Sequence, residues 1–167
     1  DRPTTWSQLF LDNQNQIHRL WKTNEEKTGL WHSYSSDNGT TWSSPENFAL
    51  LEKSDGETNA TMDHDGNIHV LQSLDVLYGE SLVNYYQWTG DKWINNPSLD
   101  LSPFGEGKIT ALASGIDTYN NLQLGIVFES LRNNPAITEI ILSHYPLVIS
   151  GNTSENSNNA VDSIINP

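Results

Sequence analysis

The strongest constraint on this chain is a turn that returns at a nearly fixed interval. Asp12 to Leu20 (DNQNQIHRL) aligns with Asp63 to Leu71 (DHDGNIHVL) and with Asp117 to Gly125 (DTYNNLQLG), at offsets of 51 and 54 residues. Each copy opens on an Asp that can accept backbone N–H bonds. Three residues on stands an Asn or Gly that tolerates the left-handed conformation, and an apolar-rich run follows. At the first offset Tyr34 falls on Tyr85, Gly39 on Gly90 and Trp42 on Trp93. Two independent landmarks sharing one spacing define a structural repeat.

A period near 50 residues built from short strands suits a four-stranded blade of a β-propeller. The pattern predicts strands near 7–12, 17–23, 29–36 and 42–50 in the first repeat and near 59–63, 67–74, 81–88 and 93–101 in the second. In the third it predicts strands near 111–117, 121–130 and 137–149. No segment carries a 3.6-residue apolar period, and Ile, Val, Tyr, Trp and Thr dominate the candidate strands. The expected fold is all-β: antiparallel four-stranded propeller blades, about three in residues 1–149, with the Ser/Asn-rich stretch 150–167 as tail or linker.

Residues 35 to 42 (SSDNGTTW) fit Ser-x-Asp-x-Gly-x-Thr-Trp, with Ser35, Asp37, Gly39, Thr41 and Trp42 as the marked positions. The Asn38-Gly39 pair tolerates positive φ, the Asp37 carboxylate can take N–H bonds within the turn, and Trp42 can fold back as an apolar lid. A degenerate copy, QWTGDKW, ends at Trp93. By this motif and the blade period, the chain resembles the Asp-box (BNR repeat) sialidase-like β-propeller family. In that family the box is a structural turn remote from the active site. The resemblance spans about residues 5 to 149, implies an extracellular or cell-surface location, and transfers no catalytic position.

Composition excludes some partners. A net charge of −13, with eight Lys and Arg against 21 Asp and Glu, leaves no basic surface for nucleic acid or an anionic membrane. Nothing approaches a membrane span. The absence of cysteine removes disulfides and thiolate metal sites. Six Trp point to an aromatic-rich core.

Three blades do not close a ring, so the open faces must be covered. The expectations are further blades of a longer chain, self-association into a ring of six, or an open array with capped ends.

The repeat also separates scaffold from candidate site. Residue types held in frame, His18, His69 and Gln123 with Asp12, Asp63 and Asp117, are expected to serve the blade. Frame-breaking residues are better binding candidates. Arg19 stands where the other repeats carry Val70 and Leu124; it reads either as an ion pair or solvated edge position, or as an anion clamp near the propeller axis. Glu129 ends the third-repeat strand where Asn24 and Asp75 sit. Trp21 and Tyr119, outside the repeat-matched aromatics, complete the candidate ligand-binding set with Arg19 and Glu129. Asp63 and Asp65 resemble the opening of a calcium loop, but the position twelve residues along is Leu74 rather than Glu. Calcium is the one metal reading, and no other cofactor is expected.

The sialidase resemblance implies three arginines on a substrate carboxylate, a Tyr–Glu nucleophile pair and an Asp acid/base. Arg2, Arg19 and Arg132 are the only arginines, and the Arg-Ile-Pro type motif is missing. The leading expectation is therefore a non-catalytic glycan-binding or adhesion module of an exported protein. The alternatives are part of a sialidase-type exo-glycosidase whose other blades lie elsewhere, or a structural oligomerisation unit.

Overall fold

The computed structural model describes residues 4–23, 29–51, 56–74, 82–100, 107–130 and 138–145. Among them there is no helix. Eleven strands run in chain order: β1 (Thr4–Leu11), β2 (Ile17–Thr23), β3 (Gly29–Ser35), β4 (Glu46–Leu50), β5 (Thr58–Met62), β6 (Ile68–Ser73), β7 (Leu82–Trp88), β8 (Trp93–Asp100), β9 (Gly107–Ile116), β10 (Leu122–Ser130) and β11 (Thr138–Tyr145). They form three antiparallel meanders, β1-β2-β3-β4, β5-β6-β7-β8 and β9-β10-β11, one for each repeat. The tail 150–167, Arg2 and Arg132 lie outside the described residues.

All eleven expected strands exist, with shifted ends. β9 begins at Gly107 rather than residue 111, and β4 at Glu46 rather than residue 42. Trp42 is held by the turn 35–42, its indole N–H donating to Gly39 O at 3.1 Å, and is not free to enter a ladder.

The sheets pack face to face as a partial propeller. One core joins the first two blades: Trp6, Phe10, Leu20, Leu30 and Phe48 meet Ala60, Ile68, Val70, Tyr86, Trp88 and Trp93. A second joins blades two and three: Leu71, Val83, Tyr85 and Leu99 meet Ile109, Leu112, Leu122, Leu124 and Ile126. The middle blade is covered on both faces, so every residue of β6 is buried. In β2 burial largely alternates, because only one face of the first blade is covered. Neighbouring first strands are tied directly: Gln8 Nε2 donates to Ala60 O at 2.9 Å, and Asn59 Oδ1 accepts from Ser114 N at 3.0 Å and Oγ at 2.6 Å.

Candidate functional site

The first two strands of each blade are joined by the same turn, built around one carboxylate. In the first, Asp12 Oδ1 accepts from Gln14 N and Gln16 N, and Oδ2 lies 3.1 Å from His18 Nε2. In the second, Asp63 Oδ1 accepts from Asp65 N and Asn67 N, and Oδ2 lies 3.2 Å from His69 Nε2. In the third, Asp117 Oδ1 accepts from Tyr119 N and Asn121 N, and Oδ2 accepts from Gln123 Nε2 at 3.0 Å. The residue three after each Asp has positive φ: 59° at Asn15, 89° at Gly66 and 64° at Asn120. The side chains at 18, 69 and 123 are thus the far anchors of their own blade's turn.

These bonds set the protonation of the turns. Burial opposes ionisation of Asp12 and Asp63. Hydrogen bonds outweigh it, from Gln16 N–H and His18 at Asp12, and from His69 and Asn67 at Asp63, and hold both below the usual carboxylate range. Asp117 is lowered chiefly by the Asn121 N–H. Asp37 is held at about 2 by the Thr41 hydroxyl and N–H and by Ser35.

Asp63 uses both oxygens on N–H donors, Oδ2 taking Asn67 Nδ2 as well as His69, and Asp65 Oδ2 accepts from Asn120 Nδ2 at 3.2 Å. The donors that converge on Asp63 satisfy its carboxylate within the turn. Among the described residues no group of three His, Cys, Asp or Glu could hold a metal.

The four residues singled out for ligand binding are not brought together. Arg19 and Trp21 lie side by side on β2, on the face turned away from the second blade. The guanidinium stacks 4.9 Å from the Trp21 ring and 4.6 Å from the Trp42 ring, and Nη2 donates to Ser33 Oγ at 3.2 Å. Tyr119 stands on the third blade at the tip of its turn, 85% exposed. Glu129 pairs through its backbone with Lys108 and Thr138 at the other end of β10.

A different place has the form of a site. Between blades one and two, at the starting ends of β1 and β5 and opposite the Asp-containing turns, lies a cleft of about 270 Å³ lined by Thr5, Trp6, Lys22, Gly56, Glu57 and Thr58. Lys22 is buried and donates to Gly56 O at 3.0 Å. Gly56 has to be glycine: a Cβ there would come within 1.8 Å of Ser73 O. The residues around the cleft therefore carry an indole (Trp6), an ammonium group (Lys22), a carboxylate (Glu57) and, at Thr5, an exposed hydroxyl. The sequence carries one signal for it. Lys22 follows Leu20 on the core-facing side of an alternating strand, a cation where the pattern asks for an aliphatic.

No family model matches this sequence, and no curated protein matches it. Solved structures do. The ulvan lyase of polysaccharide lyase family PL25 is 15% identical, with a TM-score of 0.66 over 97% of this chain and 44% of that one. The same lyase bound to -[GlcA(1-4)Rha3S]- aligns at 14% identity and a TM-score of 0.64, over 85% of this chain and 41% of that one. A fucose lectin from Kordia zhangzhouensis, in complex with methyl-fucoside, is 16% identical, with a TM-score of 0.50 over 90% of this chain and all of the lectin chain. The likeness is one of fold. This chain spans less than half the length of the lyase, and its architecture is an all-β one also found in carbohydrate-related proteins.

Proposed function

We propose that this chain is a non-catalytic glycan-binding module of an exported, extracellular or surface-attached protein, built on blades of the Asp-box, sialidase-like kind. The observation that carries the reading is the cleft between the first two blades. It is lined by Trp6, Lys22, Glu57 and Thr5, around about 270 Å³. A sugar ring asks for an apolar surface under its C–H face and for charged or hydroxyl groups around its edge. The volume lies just below the roughly 300–1,000 Å³ usual for ligand pockets, which suits a single ring. The fold shared with a fucose lectin and a polysaccharide lyase supports the ligand class. We place the ligand here rather than on the Arg19–Trp21 pair, which faces out of the blade stack.

Tryptophan fluorescence titrated with fucose, rhamnose and glucuronate tests the reading. Saturable quenching by one of them, lost in Trp6→Ala and weakened in Glu57→Gln at unchanged far-UV circular dichroism, is the expected result. No saturable response to a wide monosaccharide panel, or binding that survives Trp6→Ala, removes the cleft as the site.

A further inference from the structure

The two open faces of the blade stack carry matched departures from the repeat. Leu20 of the first blade shares a core with Val70 of the second, and Leu71 of the second shares one with Leu124 of the third. At the next step of this series the trailing residue, equivalent to Leu20 and Leu71, is Gly125. The leading residue, equivalent to Val70 and Leu124, is Arg19. Where one open face loses a Leu side chain, the other gains a guanidinium.

The first strands follow the same rule. On the trailing side, Trp6, Gln8 and Phe10 of β1 become Ala111, Ala113 and Gly115 on β9. Ala111 and Ala113 are exposed, and a Cβ on Gly115 would meet nothing within 4 Å. On the leading side, Ala60 and Met62 of β5 are matched on β1 by Leu9 and Leu11, which are 65% and 63% exposed. The face with the bulky apolar residues and the face stripped of them occupy partner positions in the interface that the blades already make with one another.

The turns offer a third match. His64 N donates to Asn120 Oδ1 at 2.8 Å, stitching the second blade to the third. In frame, Asn15 corresponds to Asn120, with the same left-handed backbone, and Thr118 corresponds to His64.

We infer that a second copy of this chain covers these faces, head to tail. The leading face of blade one packs on the trailing face of the other copy's blade three, with Arg19 over Gly125, Leu9 over Ala113, and Thr118 N–H bonded to Asn15 Oδ1. A head-to-tail contact made twice about a two-fold axis closes on itself. The product is a dimer with two identical seams, and it does not depend on the cleft binding sugar.

Sedimentation velocity of the 167-residue chain at micromolar concentration reads this directly. The expected species has twice the monomer mass of 18.7 kDa. Gly125→Leu restores the side chain of Leu20 and Leu71 on an open face, and should give a folded monomer. Adding Arg19→Val recreates the Leu–Val pair of the first seam and should restore the dimer. Leu9→Glu, at an exposed position, provides a second monomeric variant should Gly125→Leu fail to fold. A wild-type monomer, an open-ended series of larger species, or a dimer untouched by both Gly125→Leu and Leu9→Glu would each overturn the inference.

Discussion

Trp93 of the second blade donates its indole N–H to Nδ1 of His32 in the first, at 3.3 Å. That contact fixes a whole row of tautomers. With Nδ1 of His32 accepting, its Nε2 carries the proton and donates to His18 Nδ1 at 3.0 Å; His18 Nε2 then donates to Asp12 Oδ2. Both imidazoles are buried, and each ring nitrogen has one partner and one direction. The same Trp93 stacks flat on Phe48, 3.7 Å between centroids, so one residue both packs and orients the seam between blades.

Trp93→Phe should keep much of that stacking and lose the donor. His32 Nδ1 would be left buried with no proton to accept, which costs about 1–3 kcal/mol. Urea unfolding should show the unfolding free energy falling by that amount, as a lower midpoint at an unchanged slope. A variant as stable as the parent would mean the indole N–H contributes packing alone.

Acid should weaken the fold in two ranges of pH that overlap between about 3 and 3.8. Burial, and secondarily the neighbouring His18, pushes His32 down to about 3 from an ordinary 6.5. Between those values the unfolded chain takes up a proton that the folded chain refuses. Stability is therefore full above pH 6.5 and declines as pH falls towards 3. The lowered carboxylates act in the opposite sense of charge but the same direction of pH: their contribution is present above 3.8 and is lost below it, as each folded-state value is passed, at about 2 for Asp37. Urea midpoints measured from pH 7 to 4.5 should fall in the parent and fall less steeply in His32→Gln. Equal slopes would contradict the His32 assignment.

What was legible in the sequence was local. Asp12, Asp63 and Asp117 bond to N–H groups two and four residues away, and Asn15, Gly66 and Asn120 take the positive φ, so the turns and their spacing could be read from residue type alone. The turn 35–42 is local in the same way: Asp37 receives Thr41 N and Oγ1 and Ser35 Oγ, all within its own turn. The relay was not legible, because His32 meets a tryptophan 61 positions along the chain. The cleft was hidden for the same reason. Gly56 is required by the backbone of Ser73, and Trp6 and Lys22 meet Glu57 only once two blades have packed. Arg19 stood out as a break in the frame, but its distance from Tyr119 and Glu129 depends on blade order and not on the repeat.

Gly56→Ala should be among the more damaging single-methyl changes in this chain. The added carbon would sit 1.8 Å from Ser73 O and 2.7 Å from its carbonyl carbon, both backbone atoms that cannot rotate aside. Overpacking of this kind costs about 1–3 kcal/mol. The same substitution at Gly90 meets nothing within 4 Å and is opposed only by its φ of +93°, a strain of about 1 kcal/mol. Thermal melts should rank the two in that order. The reverse order would show that the 56–58 backbone moves freely away from β6, and would loosen the case for a preformed cleft.

Asp12→Asn tests whether the relay has a single direction. An asparagine needs its one oxygen for Gln14 N and Gln16 N, and so presents an amine to His18 Nε2. His18 must then carry its proton on Nδ1, His32 must accept on Nε2 and protonate Nδ1, and that proton meets the Trp93 N–H, which can only donate. The frustration sits two rings away from the substitution. Asp12→Asn should therefore destabilise by about 1–3 kcal/mol, and Trp93→Phe should cost less in the Asp12→Asn background than in the parent, because it removes one of the two opposed donors. A coupling of about 0.5–1 kcal/mol or more in the double-mutant cycle is the expected value. In the second blade Tyr85, which pairs with Leu71 as His32 pairs with Leu20 and so by register takes the place of His32 rather than of Tyr34, reaches His69 Nδ1 through a hydroxyl that can donate or accept. The relay there can reverse, and Asp63→Asn with Tyr85→Phe should show little of this relief. Additive effects in both blades would dissolve the one-way relay into independent hydrogen bonds.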